Sequence, residues 1–150
     1  SMARSACTQN IRTRIAGEGR RSLRGLGGSG DGHFQGILDE LAVIAGDGTL
    51  PYAQLLNDIG AQCARGETVV VFLSEHDSRQ SATLQALATL CARQVHLFAI
   101  VFDQRSFVPA GGSMSGHYSD PLKTSGALME LGAYCLTVRQ GDDLVRAFNS

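Results

Sequence analysis

A chain of 150 residues, 43% hydrophobic and 18% charged with a formal net charge of -1, has the size and balance of one globular domain with a real core. This composition excludes collagen, coiled coil and wholesale disorder, and no run of consecutive apolar residues is long enough for a membrane span or a secretory signal. Charge is unevenly placed: residues 1 to 24 hold Arg4, Arg12, Arg14, Arg20, Arg21 and Arg24 against Glu18 alone, a net +5 balanced by -6 in the rest. No aromatic residue lies among these arginines to stack on a base, so no nucleic-acid partner is expected.

The first 32 residues read as a flexible basic arm. Ile11, Thr13 and Ile15 alternate with polar residues and allow a short edge strand there. From Phe34 the apolar positions Ile37, Leu38, Leu41, Ile44 and Ala45 follow a helical stripe, and Gly46 supplies a stop. Thr49 reads as the N-cap of a second helix with Pro51 near its first turn and Tyr52, Leu55, Leu56, Ile59 and Cys63 on its buried face. Thr68 to Leu73 is continuous, apolar and β-branched, which predicts an interior parallel strand covered on both faces. A helix over Gln80 to Arg93 and a strand over Val95 to Phe102 complete a β-α-β unit.

Residues 103 to 120 lack periodicity and read as a long loop. Pro121 opens a helix over Leu122 to Leu131, Tyr134 to Val138 form a third strand, and a short helix over Asp143 to Phe148 ends the chain. The alternation predicts an α/β fold, a doubly wound and mostly parallel sheet with helices on both faces.

Ligands of such sheets bind beyond the carboxyl ends of the strands, here Ser74-Glu75-His76-Asp77 after the first and Asp103-Gln104-Arg105-Ser106 after the second, with Ser74, Glu75, His76, Asp77, Asp103 and Arg105 as the candidate ligand contacts. A Ser, a His and an Asp on one turn seldom meet as a triad, and no G-x-S-x-G elbow is present, so capping by Asp77 or Ser78 is the simpler use of these residues and no catalytic residue is assigned. Cys7, Cys63, Cys91 and Cys135 are far apart without a C-x-x-C pair and read as reduced packing residues. His33, His76, His96 and His117 form no metal-binding spacing. Gly25-Leu26-Gly27-Gly28-Ser29-Gly30 matches G-x-G-x-x-G and precedes a helix. It follows an arginine-rich stretch, and the acidic residue some twenty positions on falls in Gly46-Asp47-Gly48, so a connector is the better reading. The alternative is a small nucleotide- or phosphate-binding enzyme using that loop with Arg105 and His76 as ligand contacts.

The ordered series HFQGILDELAVIAGDGTLPYAQLL, ARGETVVVFLSEHD, QVHLFAIVFDQRSF and LMELGAYCLTVRQGDDL, over residues 33 to 145, resembles the C-terminal half of bacterial proteins in domain of unknown function family fifty-eight. That half is similar to a von Willebrand factor A domain. The resemblance implies a non-enzymatic protein-interaction module over residues 33 to 150, without cofactor, cytoplasmic, and belonging to a larger membrane-associated protein. Such proteins are often encoded beside MoxR-type AAA ATPases, which makes an ATPase of that kind an expected partner. In A domains a metal is held by D-x-S-x-S, a threonine and an acidic residue. The resemblance places Thr49 and Glu75 near the last two, but D-x-S-x-S is missing, and two ligands do not hold a hard cation, so no metal is expected.

The A-domain sheet has a central strand ahead of the one at Thr68 to Leu73, and this chain has no counterpart for it. The apolar edge so exposed predicts either that Ile11 to Ile15 fills the gap or that two chains pair edges in a homodimer.

Overall fold

The β-branched and aromatic run Thr68–Leu73 forms a strand over its whole length, and two further apolar runs, His96–Phe102 and Tyr134–Val138, lie beside it in parallel. The computed structural model describes residues 2–18, 22–43, 48–74, 77–109, 112, 120–143 and 146. In chain order the elements are α1 (Met2–Thr8), β1 (Ala16–Glu18), β2 (Ser22–Arg24), α2 (Gly30–Val43), α3 (Tyr52–Gln62), β3 (Thr68–Leu73), α4 (Asp77–Ala92), β4 (His96–Phe102), a 3-10 turn (Gln104–Phe107), α5 (Pro121–Glu130) and β5 (Tyr134–Val138). They fall into two compact units, residues 1–55 and 56–150, divided within α3. The expected boundary between residues 32 and 33 lies inside α2.

In the second unit the strand order is β3-β4-β5. Each crossover steps the same way across the sheet, so right-handed connections carry α4 and α5 to one face. Side chains agree with this: the Gln80 amide of α4 donates to Thr124 Oγ1 of α5 at 2.7 Å, while Ser125 of α5 lies 3.3 Å from Thr137 Oγ1 and accepts from the Cys135 thiol through its carbonyl. Register sets Val71, Ala99 and Cys135 side by side on this covered face, followed by Leu73, Val101 and Thr137. Leu87 and Leu90 of α4 and Leu128 of α5 are buried in the same core. A mixed α/β unit with a parallel sheet and flanking helices is therefore present. The strand order contains no reversal among the described residues, so the two connecting helices share one face instead of wrapping both.

The expectation that Thr68 to Leu73 is interior is corrected. β3 pairs with β4 on one side and with no other strand among the described residues, and its burial alternates. Val71 and Leu73 are buried, while Val70 and Phe72 are 36% and 60% exposed. A continuous apolar run reads as two-faced burial, but here one face of the strand meets solvent. Ile11 to Ile15, the segment expected to fill that edge, finds its partners within its own unit.

In the first unit this segment belongs to an antiparallel ribbon. Ala16 faces Arg24, Gly25 N–H donates to the Ile15 carbonyl at 2.9 Å, and Thr13 and Gly28 exchange two hydrogen bonds. Two steps from Ile15 to Thr13 are thus matched by three from Gly25 to Gly28, a β-bulge that leaves Leu26 exposed. The stretch expected as a flexible basic arm with an edge strand also holds α1, which packs on α2 with Cys7 fully buried. The stripe expected from Phe34 is narrower than the periodicity suggested: Ile37 is buried, Leu38 and Leu41 are exposed, and Ile44 and Ala45 lie outside the described residues. The carbonyl of Pro51 accepts from Gln54 and Leu55 N–H, so Pro51 holds the N-cap position expected for Thr49, which is exposed.

Helices α1, α4 and α5 end alike. In each, the residue at the left-handed position donates three residues back and the next one five back: Asn10 and Ile11, Gln94 and Val95, Gly132 and Ala133. Glycine takes this conformation without strain, whereas Gln94 holds φ 61° with a side chain. Gly132→Ala should therefore destabilise by about 1 kcal/mol and Gln94→Gly should stabilise by about 0.5 kcal/mol, read from paired urea transitions.

Candidate functional site

The carboxyl ends of β3, β4 and β5 bring Ser74, Asp103 and Arg139 to one rim of the sheet. Asp103 follows β4, and its N–H donates to the Val138 carbonyl at 2.9 Å, extending the ladder by one residue. Its carboxylate accepts from Arg105 N–H at 3.3 Å, capping the 3-10 turn, and pairs with Arg139 Nε at 3.4 Å. Ser106 Oγ donates to the Asp103 carbonyl at 2.7 Å and accepts from Gln140 N–H at 2.9 Å. The Gln104 amide donates to Ser74 Oγ, tying the end of β3 to the turn after β4. Asp142 accepts from Arg139 N–H at 2.7 Å and so fixes the loop that carries the arginine.

These contacts make a latch across the strand ends. Asp103 is mostly shielded and Arg139 mostly exposed, so the ion pair is screened and contributes below about 1 kcal/mol, serving to orient more than to stabilise. Ser74 Oγ accepts from an amide, and Ser106 Oγ lies between a carbonyl and a backbone N–H, contacts that position the chain.

Of the residues expected at this rim, Ser74, Asp103 and Arg105 are brought together, although Arg105 contributes its backbone N–H and its side chain is exposed. Glu75 and His76 lie outside the described residues, as do the side chains of Asp77 and Ser78, so the expected capping of α4 falls there too. Asp77 is the first residue of that helix. Gln104 and Ser106, expected beside them, join the latch as well, whereas sequence reasoning missed Arg139. Arg139 had a legible signal, a cation directly after the third strand, but its partner lies 36 positions earlier and meets it through register. The expected loop over 103 to 120 starts with the 3-10 turn and ends at Asp120, which caps α5 by accepting from Leu122 N–H at 3.0 Å. Residues 110–111 and 113–119 lie outside the described residues, as do 144–145 and 147–150, where most of the terminal helix was expected.

Beside the latch, on the sheet face opposite α5, Phe72, Phe102 and Phe107 form a short aromatic series. The Phe72 and Phe102 rings stack with centroids 6.5 Å apart, and Phe102 meets Phe107 at 6.4 Å in a tilted geometry. Ile100 and Val138 on this face are buried, whereas Val70, Phe72 and Tyr134 are exposed, Tyr134 by 78%.

In the glycine tract, strand β2 precedes and α2 follows, but β2 belongs to an antiparallel ribbon, and the N–H groups of Gly25 and Gly28 are consumed by Ile15 and Thr13. Among the described residues no three His, Cys, Asp or Glu side chains are grouped to hold a metal, and no helix is long and apolar enough to cross a membrane.

Burial pushes the Cys91 and Cys135 thiols up from their ordinary value of 9.0. The folded chain keeps these protons through an interval where the unfolded chain has lost them, so these two thiols leave stability unchanged below pH 9 and lower it as pH rises above that. Cys91→Ala with Cys135→Ala should reduce the loss of urea midpoint between neutral and strongly alkaline pH.

No family model, curated protein or solved structure matches the chain.

Proposed function

We propose that the chain is a protein-interaction module whose contact element is the edge of β3 that no strand pairs among the described residues. The observation that carries this reading is the pairing of an open strand edge with exposed apolar side chains, Val70 and Phe72, on one strand. Soluble proteins blunt an edge with charge, proline or a bulge, and Thr68–Leu73 has none of these. An incoming strand would gain main-chain hydrogen bonds and an aromatic contact together. The inward-turned polar groups at the strand ends add support, since they lock the rim beside this edge.

The finer reading follows the resemblance: a von Willebrand factor A-like, doubly wound and non-enzymatic module without cofactor or metal, cytoplasmic in a larger membrane-associated protein, with a MoxR-type AAA ATPase as its partner. Nucleotide binding at Gly25 to Gly30 is the competing reading, and the spent N–H groups of Gly25 and Gly28 weigh against it.

A fluorescein-labelled peptide alternating valine and threonine between terminal lysines tests the edge by polarisation. It should bind the intact chain and lose binding to Phe72→Lys, while Leu122→Lys, on the exposed side of α5, leaves binding intact. Equal binding to all three proteins, or none to the intact chain, sinks the reading. Calorimetric titration with ATP, GTP and NAD should be silent. Heat that disappears in the Gly27→Ala, Gly28→Ala double variant would move the function to the glycine tract.

A further inference from the structure

We infer that the strand which completes the β3 edge is β3 of a second copy of this chain, antiparallel about a twofold axis at Val70. This inference rests on the reading of β3 as an interaction edge. The direction of every main-chain group follows from register. His96 N–H donates to the Glu67 carbonyl at 2.8 Å, and in a parallel ladder alternate residues turn both polar groups to the same neighbour. Val69, Val71 and Leu73 therefore bond to β4. Thr68, Val70 and Phe72 point their N–H and C=O groups away from the sheet, and their side chains lie on the face opposite α5.

Those three positions are evenly spaced about Val70, so the edge can match a second copy of itself under a twofold axis. Antiparallel pairing with Val70 opposite Val70 sets Thr68 against the second copy's Phe72 and Phe72 against its Thr68. Each of the three is then a hydrogen-bonded pair that exchanges two bonds, so every outward donor and acceptor is satisfied with no residue left over. A slip by two residues loses one of these pairings. The side chains also agree: valine meets valine, an aromatic meets a β-branched residue on each side, and no like charges oppose, since β3 has no charged residue.

The other edge does not offer this. The Val138 carbonyl accepts from Asp103 N–H, so Tyr134, Leu136 and Val138 face β4 and only Cys135 and Thr137 turn outward. Their side chains are engaged with Ser125 of α5. The β3 edge is longer, and its exposed Val70 and Phe72 carry the apolar surface that a twofold interface would bury.

Light scattering behind a sizing column, run from low to near-millimolar protein, tests the association, and engineered cysteines test the register. The intact chain should pass from monomer to dimer with concentration, and Val70→Lys, which sets two ammonium groups face to face on the axis, should weaken dimerisation by about 100-fold. Val70→Cys should cross-link nearly completely under mild oxidation because its copies lie within disulfide reach, whereas Phe72→Cys should stay at the level of the intact chain because its copies lie several residues apart. Val70→Pro, which deletes an outward N–H and none of the bonds to β4, gives a second variant with the sheet intact. A chain that stays monomeric throughout, or equal cross-linking of the two cysteine variants, overturns the inference. If the valine-threonine peptide still binds a monomeric chain, only the identity of the partner fails. If the peptide does not bind either, the interaction-edge reading fails with it.

Discussion

Leu87→Ala should lower the unfolding free energy by about 3 kcal/mol, and Leu128→Ala by a similar amount. Both side chains are fully buried, Leu87 on α4 and Leu128 on α5, and both belong to the single core between those helices and the covered face of the sheet. The monotone strand order gives that layer its weight, because α4 and α5 build their cores on the same face. Truncation removes apolar atoms and leaves a space that close-packed neighbours only partly fill, so the transfer and cavity losses add. Against a total stability of about 5–15 kcal/mol this is a large fraction. Leu122→Ala, 70% exposed at the start of α5, should stay within about 0.5 kcal/mol. Urea transitions compare the three: the two core variants should lose midpoint at unchanged slope. Equal midpoints for Leu122→Ala and Leu128→Ala would mean that this layer is not the core.

The sequence was most readable where residue type and pattern agree. Thr68–Leu73 and Tyr134–Val138 match their expected limits residue for residue, because the β-branched and aromatic runs there stop at the polar residues Ser74 and Arg139. Helices α4 and α5 differ from expectation by a few residues at their ends, where Asp120 and Pro121 announce one start clearly. Whether β3 is interior or at an edge was not written in its composition. Val70 and Phe72 are as apolar as Val71 and Leu73, and it is the cover of α4 and α5 on one face that tells them apart. Helix α1 escaped notice because Ala3, Ala6 and Cys7 make too small an apolar face to stand out in a short helix. At the rim, Asp103 was visible as a strand-end acid. Its partnership with Arg139 depends on β4 and β5 lying side by side, which local spacing cannot reveal.

Gly28→Ala should destabilise the first unit by about 2 kcal/mol, and His33→Ala should remove most of that penalty. A β-carbon at Gly28 would lie 2.6 Å from His33 Nδ1 and 2.8 Å from its Cγ, too close for the ring to stay where it is. The ring has little freedom to retreat. Its Nε2 is 2.6 Å from the Thr13 carbonyl, an acceptor, so Nε2 carries the proton and donates. The same carbonyl accepts from Gly28 N–H at 3.0 Å, filling both lone pairs. Helix α2, through His33, is thus fastened to the ribbon at Gly28, where the ribbon lacks a side chain. This gives the glycine-rich tract a steric reason for its composition, independent of any phosphate. The cycle is decided by thermal unfolding of the intact chain and hydrogen exchange of the α2 amides. A Gly28→Ala penalty that shrinks by more than half in the His33→Ala background assigns the cost to the ring. A penalty of the same size in both backgrounds would assign it to the backbone at the bulge and remove the histidine from the account.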